Sequence, residues 1–207
     1  MAYRRRRTNK RYGRRRRTYR RTFRRRNYSK PNKVYYFKRN FQFDNISIDH
    51  VNFFTIGYAF TLAKVPNYAE FQNLFDMYQI RAVKLTFRPE QSQSISLNDT
   101  ANAQIYNRFF SAIDYNSDAG AANPDILRQY STLKVTGLNK IHSRYLKPKT
   151  VDANGANPGV RPWLPTTSSE IPYYGLRIHI ERNGSTGSFT MIYSVECTLY
   201  MAFKNVL

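Results

Sequence analysis

The sequence predicts an all-β domain, a sandwich or barrel of about eight strands, carried behind a strongly basic arm. Three observations predict it. Apolar residues recur at every second position through most of the chain after residue 33, the spacing of a strand with one face buried. A single well-formed stretch switches to helical spacing, and no segment repeats. The charge is also divided unevenly: residues 1–43 hold 19 Lys and Arg and no carboxylate, while the remaining 164 residues hold 15 basic and 13 acidic side chains.

Taken in order, "NYSKPNK" at 27–33 marks a hinge by its Ser, Pro and Asn. In "VYYFKRNFQFDNISI", Tyr35, Phe37, Phe41 and Phe43 share one parity, and in "FFTIGYAFTL" so do Phe54, Ile56, Tyr58, Phe60 and Leu62. The period then changes in "PNYAEFQNLFDMY", residues 66–78. Phe71, Leu74, Phe75 and Tyr78 fall at i, i+3, i+4 and i+7 behind Pro66 and an Asn67-x-x-Glu70 capping pattern, so a helix is expected there. Strands resume at "IRAVKLTFRP", with Val83, Leu85 and Phe87 inward and Lys84, Thr86 and Arg88 outward, and at 105–116. A short helix fits 124–131, and "LKVTGL" and "KIHSRYLKPK" form two further strands around Gly137.

The segment 149–172 holds four of the nine prolines and the only tryptophan, a composition expected to sustain neither a ladder nor a helix. Two strands close the chain. Leu176, Ile178 and Ile180 alternate with Arg177, His179 and Glu181, which places His179 on a solvent face, and alternate residues from Phe189 to Phe203 are apolar.

About 160 residues can bury roughly 68–70% of their extended surface, enough for one self-sufficient core. The arm cannot do so. Residues 1–26 contain fourteen arginines, one lysine and almost no aliphatic side chains, so burial cannot offset the entropy of ordering, and the arm alone is expected to be disordered. The division is therefore an arm with hinge over 1–33 and a folded domain over 34–207. The longest promising uncharged run, Val51 to Ala63, is too short for a membrane helix and alternates with period two. With no apolar leader and a single cysteine, a soluble, non-secreted protein without internal disulfides is expected.

Enzyme signatures are lacking. His50, His142 and His179 lie far apart, with no metal-ligand spacing, and His179-Ile-Glu181 lacks the P-C-x-x-C a zinc deaminase requires. Neither a nucleophile elbow nor a phosphate-binding loop occurs. Cys197 shares parity with Val195 and Leu199 and reads as a small core residue. The sequons at Asn45, Asn98 and Asn183 read as chance matches. No catalytic residue, metal or cofactor is therefore assigned. A jelly-roll metalloenzyme would need a clustered His and carboxylate triad.

The arm points to a polyanion. Arg4, Arg5, Arg6, Arg7, Lys10, Arg11, Arg14, Arg15, Arg16, Arg17, Arg20, Arg21, Arg24, Arg25 and Arg26 can each neutralise a phosphate and release condensed counterions. Arginine's excess over lysine favours bidentate contacts and stacking. Tyr3, Tyr12, Tyr19, Phe23 and Tyr28 interleave the clusters, and unpaired bases can stack on such rings, which leans towards single strands. Blocks of arginine also fit nuclear import receptors. A cellular nucleic-acid-binding protein of ribosomal type would carry basic residues on a body face as well, whereas this body nets only +2. The sugar is not distinguished by an arm that reads phosphates, so RNA stays open on these grounds.

An Arg-rich arm, a short hinge and an all-β body together resemble the capsid proteins of small circular single-stranded DNA viruses of the circovirus and cyclovirus type. The most specific match is "FTIGYAFTLAKVPNYAEFQNLFDMYQIRAVKLTFRP", residues 54–89: strand, Pro-Asn, amphipathic helix, then a strand ending in Phe87-x-Pro89. The opening "MAYRRRR" and the apolar strand near the C-terminus match as well.

The resemblance implies an eight-stranded viral jelly roll of two four-stranded antiparallel sheets, with strands B to I at about 34–48, 51–63, 79–89, 104–115, 131–137, 140–147, 174–182 and 188–204, and a short helix between C and D. It also turns "RNGSTG" at 182–187 from an apparent hairpin into a corner between sheets. Its functional implications are a shell of sixty identical subunits, viral single-stranded DNA as packaged partner, passage through the host nucleus, and attachment to a host receptor or glycan through 149–172, without membrane insertion.

Overall fold

The computed structural model describes residues 33–49, 52–90, 108–116, 118–150, 161–182 and 191–206. Nine strands and two helices follow in the order β1 (Tyr35–Ile48), β2 (Phe54–Phe60), α1 (Tyr68–Leu74), β3 (Phe75–Glu90), β4 (Arg108–Ala112), α2 (Pro124–Arg128), β5 (Lys134–Gly137), β6 (His142–Leu146), β7 (Leu164–Pro165), β8 (Tyr173–Ile180) and β9 (Met191–Val206). One sheet has the order β1-β9-β3-β6 with β7 beside β3, and the other β2-β8-β4-β5. All pairings are antiparallel. In jelly-roll lettering these are the B-I-D-G and C-H-E-F sheets.

Strand β9 is the spine of the first sheet: it pairs with β1 on one side and β3 on the other along nearly its whole length. Its alternation does this work. Tyr193, Val195, Cys197, Leu199, Met201 and Phe203 are all at most 1% exposed and meet Ile178, Ile180, Phe60 and Phe109 of the second sheet in one apolar core. At one end Phe203 stacks on Phe71 at 4.7 Å between centroids, with Phe75 at 5.1 Å and Phe37 at 5.6 Å. Because β8 and β9 belong to opposite sheets, the chain changes sheet between Ile180 and Met191, as the resemblance implied. Residues 183–187 of that corner lie outside the described residues.

Five expectations are corrected. The helix expected over 66–78 is confined to Tyr68–Leu74, and β3 already begins at Phe75. Phe75 and Tyr78 take Val206 and Phe203 as ladder partners, so a long pairing with β9 prevails over local helical periodicity, and Leu74 is left 53% exposed. Asn67 does not close a capping box either. It sits at φ 58° with no side-chain cap, and only its carbonyl accepts the Glu70 N–H. The second helix stops at Arg128 rather than 131, capped by Asn123 Oδ1 accepting from Ile126 N–H at 3.1 Å.

The segment 149–172 does carry ladder pairs. Leu164 and Pro165 pair with Tyr78 and Met77, and Lys149 bridges Tyr174. Proline is tolerated because β7 is an edge. Finally, His179 is 3% exposed rather than solvent-facing, because residues 114–116 and 118–130 form an outer layer over the β2-β8-β4-β5 sheet. Phe110, Ala112, Ala121 and Leu127 make a second small core there. Gly57 N–H donates to Asp118 O at 3.0 Å, and a Cβ on Gly57 would lie 2.4 Å from the Asp118 carbonyl carbon, which explains a glycine in mid-strand.

Candidate functional site

Three polar constellations stand out in the described residues, and each can be weighed as chemistry. The first joins Ser111, His142 and Thr136. Ser111 Oγ lies 2.7 Å from His142 Nε2 and Thr136 Oγ1 2.9 Å from Nδ1, while the ring stacks on Phe109 at 4.2 Å. A Ser–His contact is the geometry of an activated nucleophile, but here both side chains are fully buried and the orienting group is a hydroxyl rather than a carboxylate. Burial, aided by the charges of Lys134 and Arg144, holds the imidazole pKa down to about 3. A neutral ring with one donor and one acceptor nitrogen satisfies both hydroxyls, so the constellation pins β4, β5 and β6 together.

The second fastens the outer layer. Arg177 Nη1 is 2.7 Å from Asp114 Oδ2, Tyr130 O–H donates to the same oxygen at 2.8 Å, Asn116 N–H donates to Oδ1 at 3.0 Å, and Arg177 Nη2 donates to Gly120 O at 2.9 Å. Burial pushes the Asp114 carboxyl upward, but the Asn116 N–H, Arg177 and Tyr130 outweigh it and the net pKa falls below the usual carboxylate value. Neither this constellation nor His142 and His179 supply a metal site: among the described residues, which do not include His50, no group of three His, Cys, Asp or Glu could hold an ion. No described helix is long and apolar enough to cross a membrane.

The third lies on the face of the β1-β9-β3-β6 sheet turned away from the core. Tyr36, Ala202 and Gln79 stand in one cross-strand row, and Trp163, one residue before the Leu164–Tyr78 pair, continues it. The β3–β9 register slips between Ile80 and Ala82, and Arg81 occupies the bulge. Bulges re-aim side chains. Here the Arg81 guanidinium lies 6.0 Å from the Tyr36 ring centroid and 5.9 Å from that of Trp163, and Lys204 Nζ lies 4.7 Å from Trp163. Arg161 binds the row down: its carbonyl accepts from Gln79 Nε2, and its own Nη1 donates to Arg81 O at 3.4 Å.

All fifteen basic arm residues assigned to nucleic acid, and the rings Tyr3, Tyr12, Tyr19, Phe23 and Tyr28, lie outside the described residues. The first described residue is Lys33, whose Nζ lies 5.1 Å from the Tyr35 ring. From there β1 runs along the edge of the sheet that carries the Tyr36–Arg81–Trp163–Lys204 array. Sequence reasoning missed this array. The available signal was Tyr36, an aromatic on the polar parity of β1 between inward Tyr35 and Phe37, but nothing in the pattern announced a bulge at Arg81 or the approach of Trp163 across some eighty residues.

The family model described as Circovirus capsid protein matches residues 2–207, nearly the whole chain. No curated protein matches the sequence. Among solved structures, the decameric BFDV capsid protein superposes with a TM-score of 0.60 at 20% identity, over 83% of this chain and 99% of that one. The 60-mer of the BFDV capsid protein superposes at 0.59 and 20% identity, over 84% and 95%. The structure of mud crab tombus-like virus, at 11% identity, reaches a TM-score of 0.55 over 85% of this chain and 90% of that one. Architecture agrees with these neighbours, and the family match spans arm and body alike: the chain belongs to the circovirus capsid protein family.

Proposed function

We propose that this capsid protein closes, in sixty copies, into a small icosahedral shell around circular single-stranded DNA, which its arm neutralises. The observation that carries the reading is the segregation of charge. With only a net +2 over residues 44–207, the jelly-roll body can approach its own copies without strong mutual repulsion, while +19 sits in residues 1–43. The related BFDV capsid protein is described as a decamer and as a 60-mer, which supports the sixty-copy count. Sixty such arms would bring about 1,100 positive charges, enough to offset on the order of a thousand phosphates.

The same arginine blocks serve nuclear import, bringing the protein to the compartment where the genome is packaged. Attachment to a host receptor or glycan falls to the segment between β6 and β8. Since Arg161 to Thr166 are tied to β3, the part before Arg161 carries that role.

Electron microscopy of the purified protein, combined with nuclease treatment of its contents, tests the reading. Particles of uniform diameter holding strands protected from DNase are expected. A persistent monomer across salt and pH, or contents degraded only by RNase after release, would overturn it. Deleting residues 2–26 should leave the body folded while nucleic-acid content and nuclear accumulation fall.

A further inference from the structure

We infer that subunits join head to tail, the β5–β6 edge of one copy seating on the α1–β3 junction of the next. This rests on the shell reading and names the surfaces that would close it. Three of the six exposed large apolar side chains among the described residues, Val135, Ile141 and Tyr145, gather on β5, β6 and the turn between them. Two of the four strands at sheet margins are protected. The outer layer closes β2 through Gly57 N–H to Asp118 O and Thr55 Oγ1 to Ala121 O, and β1 carries Lys38 and Arg39 with α1 packed against it. The other two, β5 and β6, pair on one side only among the described residues, with β4 and β3 respectively. An uncovered edge bearing apolar side chains invites a further chain.

Charge identifies that chain's docking surface. From Lys134 to Lys149 there are five basic residues, Lys134, Lys140, Arg144, Lys147 and Lys149, and no carboxylate. Lys134 Nζ and Arg144 Nη2 are engaged within the edge, donating to Ser143 O at 2.9 Å and Thr132 O at 2.5 Å, while Lys140 and Lys147 are exposed. The α1–β3 junction is the converse. Leu74 is 53% exposed there, Glu70 and Asp76 stand exposed before and after it, and no basic residue occurs between Lys64 and Arg81. Arg39 approaches Glu70 at 3.8 Å, but both side chains are largely in solvent, so the pair contributes little.

Each patch would repel a copy of itself and attract the other, which disfavours a two-fold contact of like with like. The sheet order sets the patches apart: β6 is last in the β1-β9-β3-β6 sheet, whereas Phe71 of α1 lies against Phe37 of β1 at the other margin. Complementary patches at opposite margins make heterologous contacts, and these close into rings where the rotation allows.

Charge reversal tests the contact in full-length protein assembled on circular single-stranded DNA. Lys140→Glu/Lys147→Glu makes the edge acidic, Glu70→Lys/Asp76→Lys makes the junction basic, and all four positions are exposed. Particle yield is read by sedimentation, with folding followed by circular dichroism. Each double variant should need roughly 10-fold or more protein for half-maximal yield. The four substitutions together should restore wild-type yield, because the attraction returns with its signs exchanged. Combining the edge reversal instead with Asp118→Lys/Asp125→Lys, exposed positions of the outer layer, gives the same net charge and should not restore it. Independently of charge, Leu74→Ser and Ile141→Ser should each raise the protein concentration needed several-fold.

Wild-type protein that forms no particles would overturn the shell reading itself. Wild-type yields from both double variants would leave the shell standing and refute this contact. So would loss in both without recovery in the combined variant, or equal recovery with the outer-layer substitutions, which would reduce the effect to net charge. Loss confined to the edge reversal would assign β5–β6 to a polyanion, and loss confined to the junction would give α1 a different partner surface; either refutes the pairing. Should the combined variant fail to fold, unchanged yields in Leu74→Ser and Ile141→Ser would refute it on their own.

Discussion

Acid should destabilise this protein through His142, by an amount the structure sets. The imidazole is fully buried between Ser111, Thr136 and the Phe109 ring, with Phe87 at 6.0 Å and the cationic Lys134 and Arg144 nearby. Its pKa is lowered from 6.5 to about 3, chiefly by burial. The unfolded chain therefore binds a proton that the folded chain refuses between those two values. Stability is complete above about pH 6.5 and declines as pH falls towards 3. For a single site with these two pKa values, the loss between pH 7 and pH 4 is about 3 kcal/mol. That is a large part of a marginal folding free energy.

Urea unfolding of the full-length protein, followed by Trp163 fluorescence across this pH range, measures the loss. The same series on His142→Gln isolates it. Gln offers one donor and one acceptor but no titration, so the variant should be less stable at pH 7 and the gap should narrow by about 3 kcal/mol at pH 4. Parallel profiles for the two proteins would refute the reasoning, as would a native-state imidazole resonance titrating near pH 6.

Three further outcomes follow from packing. Gly57→Ala forces a Cβ into the Asp118 backbone and should cost about 1–3 kcal/mol in thermal unfolding, with the outer layer loosened before the core. Asp114→Asn leaves the Arg177 guanidinium without its carboxylate and should cost about 3 kcal/mol; hydrogen exchange should localise the effect to residues 114–130. The Cys197 thiol, pushed by burial up to about 12, should react with a thiol reagent only as fast as the protein unfolds.

Alternation read from the sequence identified the strands because a sheet facing a common core leaves a period-two record. Every inward residue named on β3 and β9 among those described is buried. The same rule misjudged β8. His179 and Arg177 occupy the polar parity, yet both are covered, because residues 114–130 supply Ala121 O, Gly120 O and the Asp114 carboxylate as partners. Polarity marks the need for a hydrogen-bonding partner, and water is only one candidate for it. Gly57 was the one local sign that something approaches this outer face, since a glycine amid β-branched and aromatic strand residues signals backbone contact.

The stretch 66–78 shows the opposite failure, in which a correct periodicity stood for two structures at once. Phe71 is buried from a helix while Phe75 and Tyr78 are buried from a strand. Spacings of three and four along one helix face coincide here with a helix-to-strand junction whose residues converge on the same Phe203. Only the pairing with β9 separates the alternatives, and that partner lies some 130 residues away. The aromatic–cation array was illegible for a related reason. Tyr36, Arg81, Trp163 and Lys204 come from four strands or their flanks, and nothing local to any of them records the others. Charge was legible as a total and as a division between arm and body. Its placement on a particular face appears only once the sheet order brings β1, β9, β3 and β7 side by side. Residues 44–207 net only +2, yet Arg81 and Lys204 both stand beside Trp163 on one face, so near-neutrality of the whole does not preclude a local cationic cluster.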